Sequence, residues 1–244
     1  MFLLIFAIAF IATVLSTLSG AGVSLVTLPV LLLLGFPLPV AMAANTVSGA
    51  LWTPFASLNY LGKAKVDLRL CFLLIVPGLL GAYLGTEIIL NTDAMILQRI
   101  FGILILVIVF FVFMQKNFGI EESPEKMNRF FTGLLAAPLG FYETFFGAGN
   151  GIFTSVMLIK TRGIPLNIAL GYYYLVSCTW CIFGSYLYFK AGHFDYALLV
   201  PSTIGGILGA YVGSLIGSRK GSKFVRLVFL SLGSVLGLKL ALGF

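Results

Sequence analysis

Charge is what this chain has least of. Charged residues occupy 9% of its 244 positions, where a soluble domain carries about 25%. With 60% hydrophobic residues and a mean hydropathy of +1.09, it lacks the polar surface to dissolve. It reads as an integral membrane protein whose solvent is the lipid bilayer, with no room for a separate soluble domain. Cysteine is equally sparse. Cys71, Cys178 and Cys181 all lie in apolar segments, which excludes a secreted-type disulfide framework. Cys178-Thr-Trp-Cys181 has redox-motif spacing, but nothing else supports redox chemistry, so it reads as small residues packing in a helix. His193 is the single histidine and falls in a loop. No cluster of Asp, Glu, Cys and His supplies a nucleophile with its base, or a metal site. The chain is therefore expected to be no enzyme and to need neither metal nor cofactor. The net charge of +7 does not point to nucleic acid, because the basic residues sit in short loops between apolar runs, where they set orientation. No Lys or Arg precedes the apolar stretch 2–18, which reads as a first membrane helix rather than a signal peptide.

What the chain does have is a repeat. Gly35-Phe-Pro-Leu-Pro-Val-Ala41 returns as Gly163-Ile-Pro-Leu-Asn-Ile-Ala169, and Gly81-Ala-Tyr-Leu-Gly85 as Gly209-Ala-Tyr-Val-Gly213, both offset by 128 positions. The same offset pairs the only two tryptophans, Trp52 and Trp180, and also Tyr60 with Tyr188 and Asp67 with Asp195. Two related apolar halves are the sequence pattern of a membrane transporter. The halves are expected at 1–115 and 129–244, joined by a polar linker at 116–128.

Apolar segments fall at 2–18, 23–34, 38–61, 68–90, 96–115, 129–146, 151–160, 165–189, 194–217 and 223–243. A helix over 2–34 would be about 50 Å long, too long for one crossing. Gly20-Ala21-Gly22 must break it, and Gly147-Ala148-Gly149 must break 129–160 in the same way. Each broken segment predicts a helical hairpin with its tip inside the membrane, tolerated only where buried in protein or lining a polar cavity. A hairpin plus three spans gives each half an odd number of crossings, so the expected fold is all-α with two inverted repeats. Under that parity Lys63, Lys65, Arg69, Lys116, Lys126, Arg129, Lys160, Arg162, Arg219, Lys220, Lys223 and Arg226 share one side, against Arg99, Lys190 and Lys239 on the other. This bias places the first side, with the linker, in the cytoplasm and both termini outside.

Candidate site residues follow from the breaks. Helices starting after Gly22 and Gly149 present free N–H groups and a positive dipole end, and two such ends near the midplane would hold an anion without a buried Lys or Arg. Close helix packing by small residues is the alternative. Glu143 lies one turn before the second break. An intramembrane carboxyl is a functional candidate by default; it either carries a proton exchanged during transport or is a hydrogen-bonded structural group. Asn45, Thr46 and Ser48 in the first half and Tyr172, Tyr173, Tyr174 and Ser177 in the second can donate to oxyanion oxygens or bond between helices. Asn150, directly after the second break, is a further donor. Asp67 and Asp195 read as helix N-caps.

These features, in this order, resemble the sulfite exporter TauE/SafE family, of the four-toluene sulfonate uptake permease type. The resemblance runs through Gly20-Ala-Gly22, Pro29, the Gly-Phe-Pro-Leu-Pro-Val-Ala run, Asn45-Thr46, the two Gly-Ala-Tyr-x-Gly stretches, and Gly147-Ala-Gly-Asn-Gly151 onward. It implies a polytopic carrier exporting a small sulfur-containing anion, sulfite or an organosulfonate, by alternating access. It carries binding roles onto Gly20, Ala21, Gly22, Gly147, Ala148, Gly149, Asn45, Thr46 and Asn150, to which Tyr173 is added from its place in the second half. Tyr172–Tyr174 stand where the family often has Thr or Ser after the Gly-x-Pro run. The bacterial inner membrane is the expected location. An anion channel, a carrier of small carboxylates and a homodimeric state stay open as alternatives.

Overall fold

A computed structural model of the chain describes residues 1–62, 64–89 and 127–242, with 103, 106, 107, 110, 113 and 114. The expected segment 96–115 falls largely outside the described residues, as does most of the linker. The described residues are all-α, without a strand. The helices are α1 (Phe2–Ser19), α2 (Ser24–Leu33), α3 (Leu38–Leu61), α4 (Leu68–Ile89), α5 (Arg129–Leu134), α6 (Ala136–Phe145), α7 (Asn150–Arg162), α8 (Leu166–Lys190) and α9 (Tyr196–Leu242). Phe2–Ser19, Leu68–Ile89, Leu166–Lys190 and Tyr196–Val228 are long and apolar enough to cross a membrane. At 24 residues α3 has the length but not the apolarity, because it carries Asn45, Thr46, Ser48, Thr53, Ser57 and Asn59.

Most boundaries fall where glycine and proline punctuate the sequence. α1 ends on Gly20 in the left-handed region, φ +74, with its N–H donating to Ser16 O. α7 ends on Gly163, φ +69, and Pro165 caps α8, so the repeated Gly-x-Pro run stops one helix and starts the next. Asp67 accepts from the Arg69 and Leu70 N–H groups and pairs with Arg129 at 3.2 Å; Asp195 accepts from Ala197 N–H. One expectation needs correction. The segment 129–146 is two helices, α5 and α6, meeting at Leu135. The break expected at Gly217–Lys223 is present and centres on one residue: Gly221, φ +75 and ψ −178, divides the stretch given as α9 into two helices. Arg219, Lys220 and Lys223 look like loop residues, but exposed basic side chains are good helix formers once the chain has left the apolar layer.

α1 packs on α9, α4 on α6, and α3 on both α8 and α9. The repeated Gly-Ala-Tyr-x-Gly stretches make two of these contacts. A Cβ at Gly81 or Gly85 would overlap the Ala137 or Phe141 carbonyl oxygen of α6. A Cβ at Gly209 or Gly213 would lie 2.5 Å from Phe10 O or 2.6 Å from Val14 O of α1. Small residues thus bring helix backbones together, as membrane packing favours. In both pairs the contacts advance in the same direction along the two helices, so α1 parallels α9 and α4 parallels α6. α3 and α8, equivalent under the 128-residue offset, run antiparallel: Ser57 Oγ donates to Gly171 O at 3.0 Å and Cys178 Sγ to Ala50 O at 3.5 Å. The polarity is inside out. Leu3, Leu58, Leu68 and Phe72 are exposed, while Asn45, Thr46, Glu143, Asn150 and Ser177 are buried, the distribution a lipid solvent selects.

Candidate functional site

The two breaks form two tips, each with a pair of left-handed glycines: Gly20 and Gly22 at φ +74 and +76, Gly147 and Gly149 at +69 and +78. The tips touch through their backbones. Gly149 N–H donates to Ala21 O at 2.6 Å and Ile152 N–H to Gly20 O at 3.1 Å. Tyr142 OH donates to Ala148 O, holding the second tip against its own helix. Several N–H groups at the start of α7 are already engaged: Gly149 and Ile152 donate to carbonyls of the first tip, and Asn150 to Gly147 O. Among the described residues, the Gly22, Val23 and Ser24 N–H groups at the start of α2 donate to no protein acceptor. The α2 N-terminus is thus the more open of the two toward an anion.

Those three residues line a cavity of about 30 Å³, bounded across the tips by Gly147 and Glu143, on the α3 side by Met42, Asn45, Thr46, Gly49 and Trp52, and on the α8 side by Tyr173 and Cys181. A water needs roughly 10–15 Å³ by this measure, so the space holds about two. Sulfite or a sulfonate head group is larger. Asn45 is aimed by α2: Thr27 Oγ1 donates to its Oδ1 at 2.9 Å, and its Nδ2 donates to Ser24 Oγ at 3.4 Å. The Thr46 hydroxyl donates back to Met42 O at 2.9 Å, so its one proton is engaged within α3.

Glu143 forms the opposite wall. Its carboxylate accepts from Ser177 Oγ and Asn150 Nδ2, from Tyr173 OH at 3.2 Å to both oxygens, and from Cys181 Sγ at 3.7 Å. No basic side chain pairs with it among the described residues. Asn150 is fixed by a second donation, to Leu139 O at 3.1 Å. The carboxylate is therefore satisfied by neutral donors alone, which compensates its burial without a counter-ion.

The sequence-predicted residues thus separate into two groups. Gly22, Asn45, Thr46, Glu143, Gly147 and Tyr173 share the cavity wall. Gly20, Ala21, Ala148 and Gly149 make the tip contact behind it, and Asn150 reaches Glu143 from the start of α7. Ser24, Gly49, Trp52 and Cys181 line the cavity without having been singled out as site residues. A signal for Cys181 existed: Tyr173, Ser177 and Cys181 are spaced by four and share one face of α8. The same rule joins Asn45 to Gly49 on α3. Trp52 breaks the repeat in an informative way. Trp180 Nε1 donates to Ile75 O at 3.3 Å, whereas the buried Trp52 Nε1 has no partner. Among the described residues no group of three His, Cys, Asp or Glu side chains is placed to hold a metal.

Comparison with known proteins bears on the whole chain. A family model described as "Sulfite exporter TauE/SafE" matches residues 5–240. A "Probable membrane transporter protein" of Haemophilus influenzae (strain ATCC 51907 / DSM 11121 / KW20 / Rd) is 29% identical over 224 residues, covering 91% of this chain and 88% of the relative. "Probable membrane transporter protein ORF9" of a Sinorhizobium species is 26% identical over 239 residues, covering 97% and 90%. "Probable membrane transporter protein YfcA" of Escherichia coli (strain K12) is 26% identical over 237 residues, covering 97% and 88%.

Proposed function

The chain belongs to the sulfite exporter TauE/SafE family of integral membrane transporters, and on that premise we propose that it exports a small oxyanion, sulfite or an organosulfonate, through the cavity between the two tips. The observation that carries this reading is the convergence on one cavity of the unpartnered N–H groups of α2, the oriented Asn45 amide and the Glu143 cluster. N–H dipoles and amides stabilise negative charge without a buried cation. Glu143 supplies the coupling proton, as the one carboxyl on the cavity wall among the described residues.

The halves are inverted relative to each other, and their rocking exposes the cavity alternately to the two sides. The antiparallel run of α3 and α8 supports this, since equivalent helices point opposite ways only if one half is turned over. The glycine-packed pairs α1–α9 and α4–α6 each join helices from different halves and move as units. The basic-residue bias puts the 116–128 linker in the cytoplasm and both termini outside, in a bacterial inner membrane.

Purified protein in liposomes preloaded with sulfite tests the reading. Saturable uptake of labelled sulfite with counterflow is expected, and Glu143→Gln should flatten its pH dependence. Uptake without counterflow would make the protein a channel; no oxyanion uptake at all would reject the assignment.

A further inference from the structure

Glu143 does more than line the cavity. Asn150 and Tyr173, two donors expected to receive substrate, both donate to its carboxylate, and Ser177 and Cys181 join them. Four neutral donors on two elements, α7 and α8, surround one planar anion, and the adjoining cavity of about 30 Å³ is too small for a second while that carboxylate keeps its place. We infer that the Glu143 carboxylate is a resident anion, occupying the donor set that a transported oxyanion takes when Glu143 gives it up.

This inference rests on the transport reading above and adds how the site opens. A transported anion cannot sit beside an ionised Glu143, because two negative charges in a low-dielectric cavity repel and the donors are already engaged. Protonation resolves both conflicts. A proton from the aqueous phase forms an O–H bond on one Glu143 oxygen, and the neutral carboxyl turns out of the donor set, adding its own space to the cavity. The Ser177 and Tyr173 hydroxyls then rotate toward the incoming anion, a turn that hydroxyl donors make without moving the backbone. One proton is bound for each anion bound. On the opposite wall the α2 N–H groups and Asn45 complete the coordination.

Among the described residues, the other ionisable groups beside Glu143 are Tyr142, Tyr173 and Cys181, and no other carboxyl or basic side chain faces it. α8 presents Tyr173 and Cys181, and Tyr142 adjoins Glu143 on α6. α7 presents Asn150, and α3 presents Asn45 and Thr46 across the cavity. The face of α4 packed on α6 is Gly78, Gly81, Ala82 and Gly85, and carries no charge. The head group accepted is a small oxyanion. The five donations reach two oxygens, so a carboxylate and a sulfonate both fit the donors, and the test separates them.

The experiment is calorimetric titration of the purified full chain in nanodiscs with methanesulfonate and with acetate, from pH 6 to pH 8. Both probes keep a constant charge over this range. Wild-type affinity should fall by up to about tenfold per pH unit, as expected when binding takes up one proton. Glu143→Gln presents a permanently neutral group, so its affinity should be flat with pH and at least about tenfold tighter than wild type at pH 8. Ser177→Ala in the Glu143→Gln background should weaken binding by about tenfold, the value of one hydrogen bond to a charged group. A pH dependence that survives in Glu143→Gln, or a double variant that binds as well as Glu143→Gln, overturns the inference while leaving the transport site standing. If neither wild type nor Glu143→Gln binds either probe at any pH, the transport-site reading falls with it. Tighter methanesulfonate than acetate assigns the site to sulfonates, and the reverse order to carboxylates.

Discussion

Replacing Gly22 with alanine tests how closely the two tips must approach. The new Cβ would sit inside van der Waals contact of Gly147 O and 2.8 Å from both Ala148 Cα and Gly149 N. All three atoms are backbone, so no side-chain rotation relieves the overlap and one tip must retreat. Overpacking of this kind costs about 1–3 kcal/mol. Gly22 also sits at φ +76, where a residue with a Cβ loses a further 1–2 kcal/mol or so. The sum is about 2–5 kcal/mol. Gly35 separates the two contributions. It has φ +86, but nothing lies within 4 Å of the position its Cβ would take, so Gly35→Ala should lose only about 1–2 kcal/mol. Equilibrium unfolding of both variants in the same detergent, followed by helical circular dichroism, gives the difference directly. Moving the tip would also break the Gly149–Ala21 and Ile152–Gly20 hydrogen bonds. Gly22→Ala should therefore impair transport at matched protein level while Gly35→Ala leaves it near wild type. Equal destabilisation of the two variants, or full transport by Gly22→Ala, would refute the close approach of the tips.

The two tryptophans should respond differently to the same change. Trp180→Phe removes the donation to Ile75 O and should cost about 1 kcal/mol more than Trp52→Phe, which removes a buried donor that has no partner; the opposite order in unfolding measurements would contradict the asymmetry. Orientation is checked by cysteine labelling in whole cells. Glu121→Cys should react only with reagents that reach the cytoplasm and His193→Cys with impermeant reagents outside, and the converse pattern reverses the topology.

Much of the fold is legible in the sequence because its determinants are local. Gly20, Gly22, Gly147 and Gly149 take up a backbone conformation that side chains disfavour, so a Gly-Ala-Gly inside an over-long apolar run marks the break by itself. Asp67 and Asp195 cap helices through bonds to residues two or three positions on. The basic, glycine-containing stretch 217–223 marks a break in the same way, and Gly221 makes it. Where a segment was divided without such a signal, as at Leu135 within 129–146, no glycine or proline stands at the position. The repeated Gly-Ala-Tyr-x-Gly stretches were visible as repeats, but their partners on α6 and α1 were not, since those contacts join residues far apart in the chain.

The candidate site divides along the same line. Apolar run length, glycine placement and the buried carboxyl determine, from the sequence alone, a membrane protein with two broken hairpins and a short roster of polar groups that face inward. Each is a property of one segment and its solvent. Which donor meets which acceptor is decided by tertiary structure. Asn150 and Tyr173 turn to Glu143 rather than to open space, and the Gly149 and Ile152 N–H groups meet the first tip while, among the described residues, those of Gly22, Val23 and Ser24 stay unpartnered. Tyr173 and Glu143 are 30 residues apart and Gly20 and Ile152 are 132 apart. A hydrogen bond exists or fails within a few tenths of an ångström and a narrow angle, a tolerance that periodicity along a helix cannot specify and that only the packing of α1, α3, α6, α7 and α8 sets.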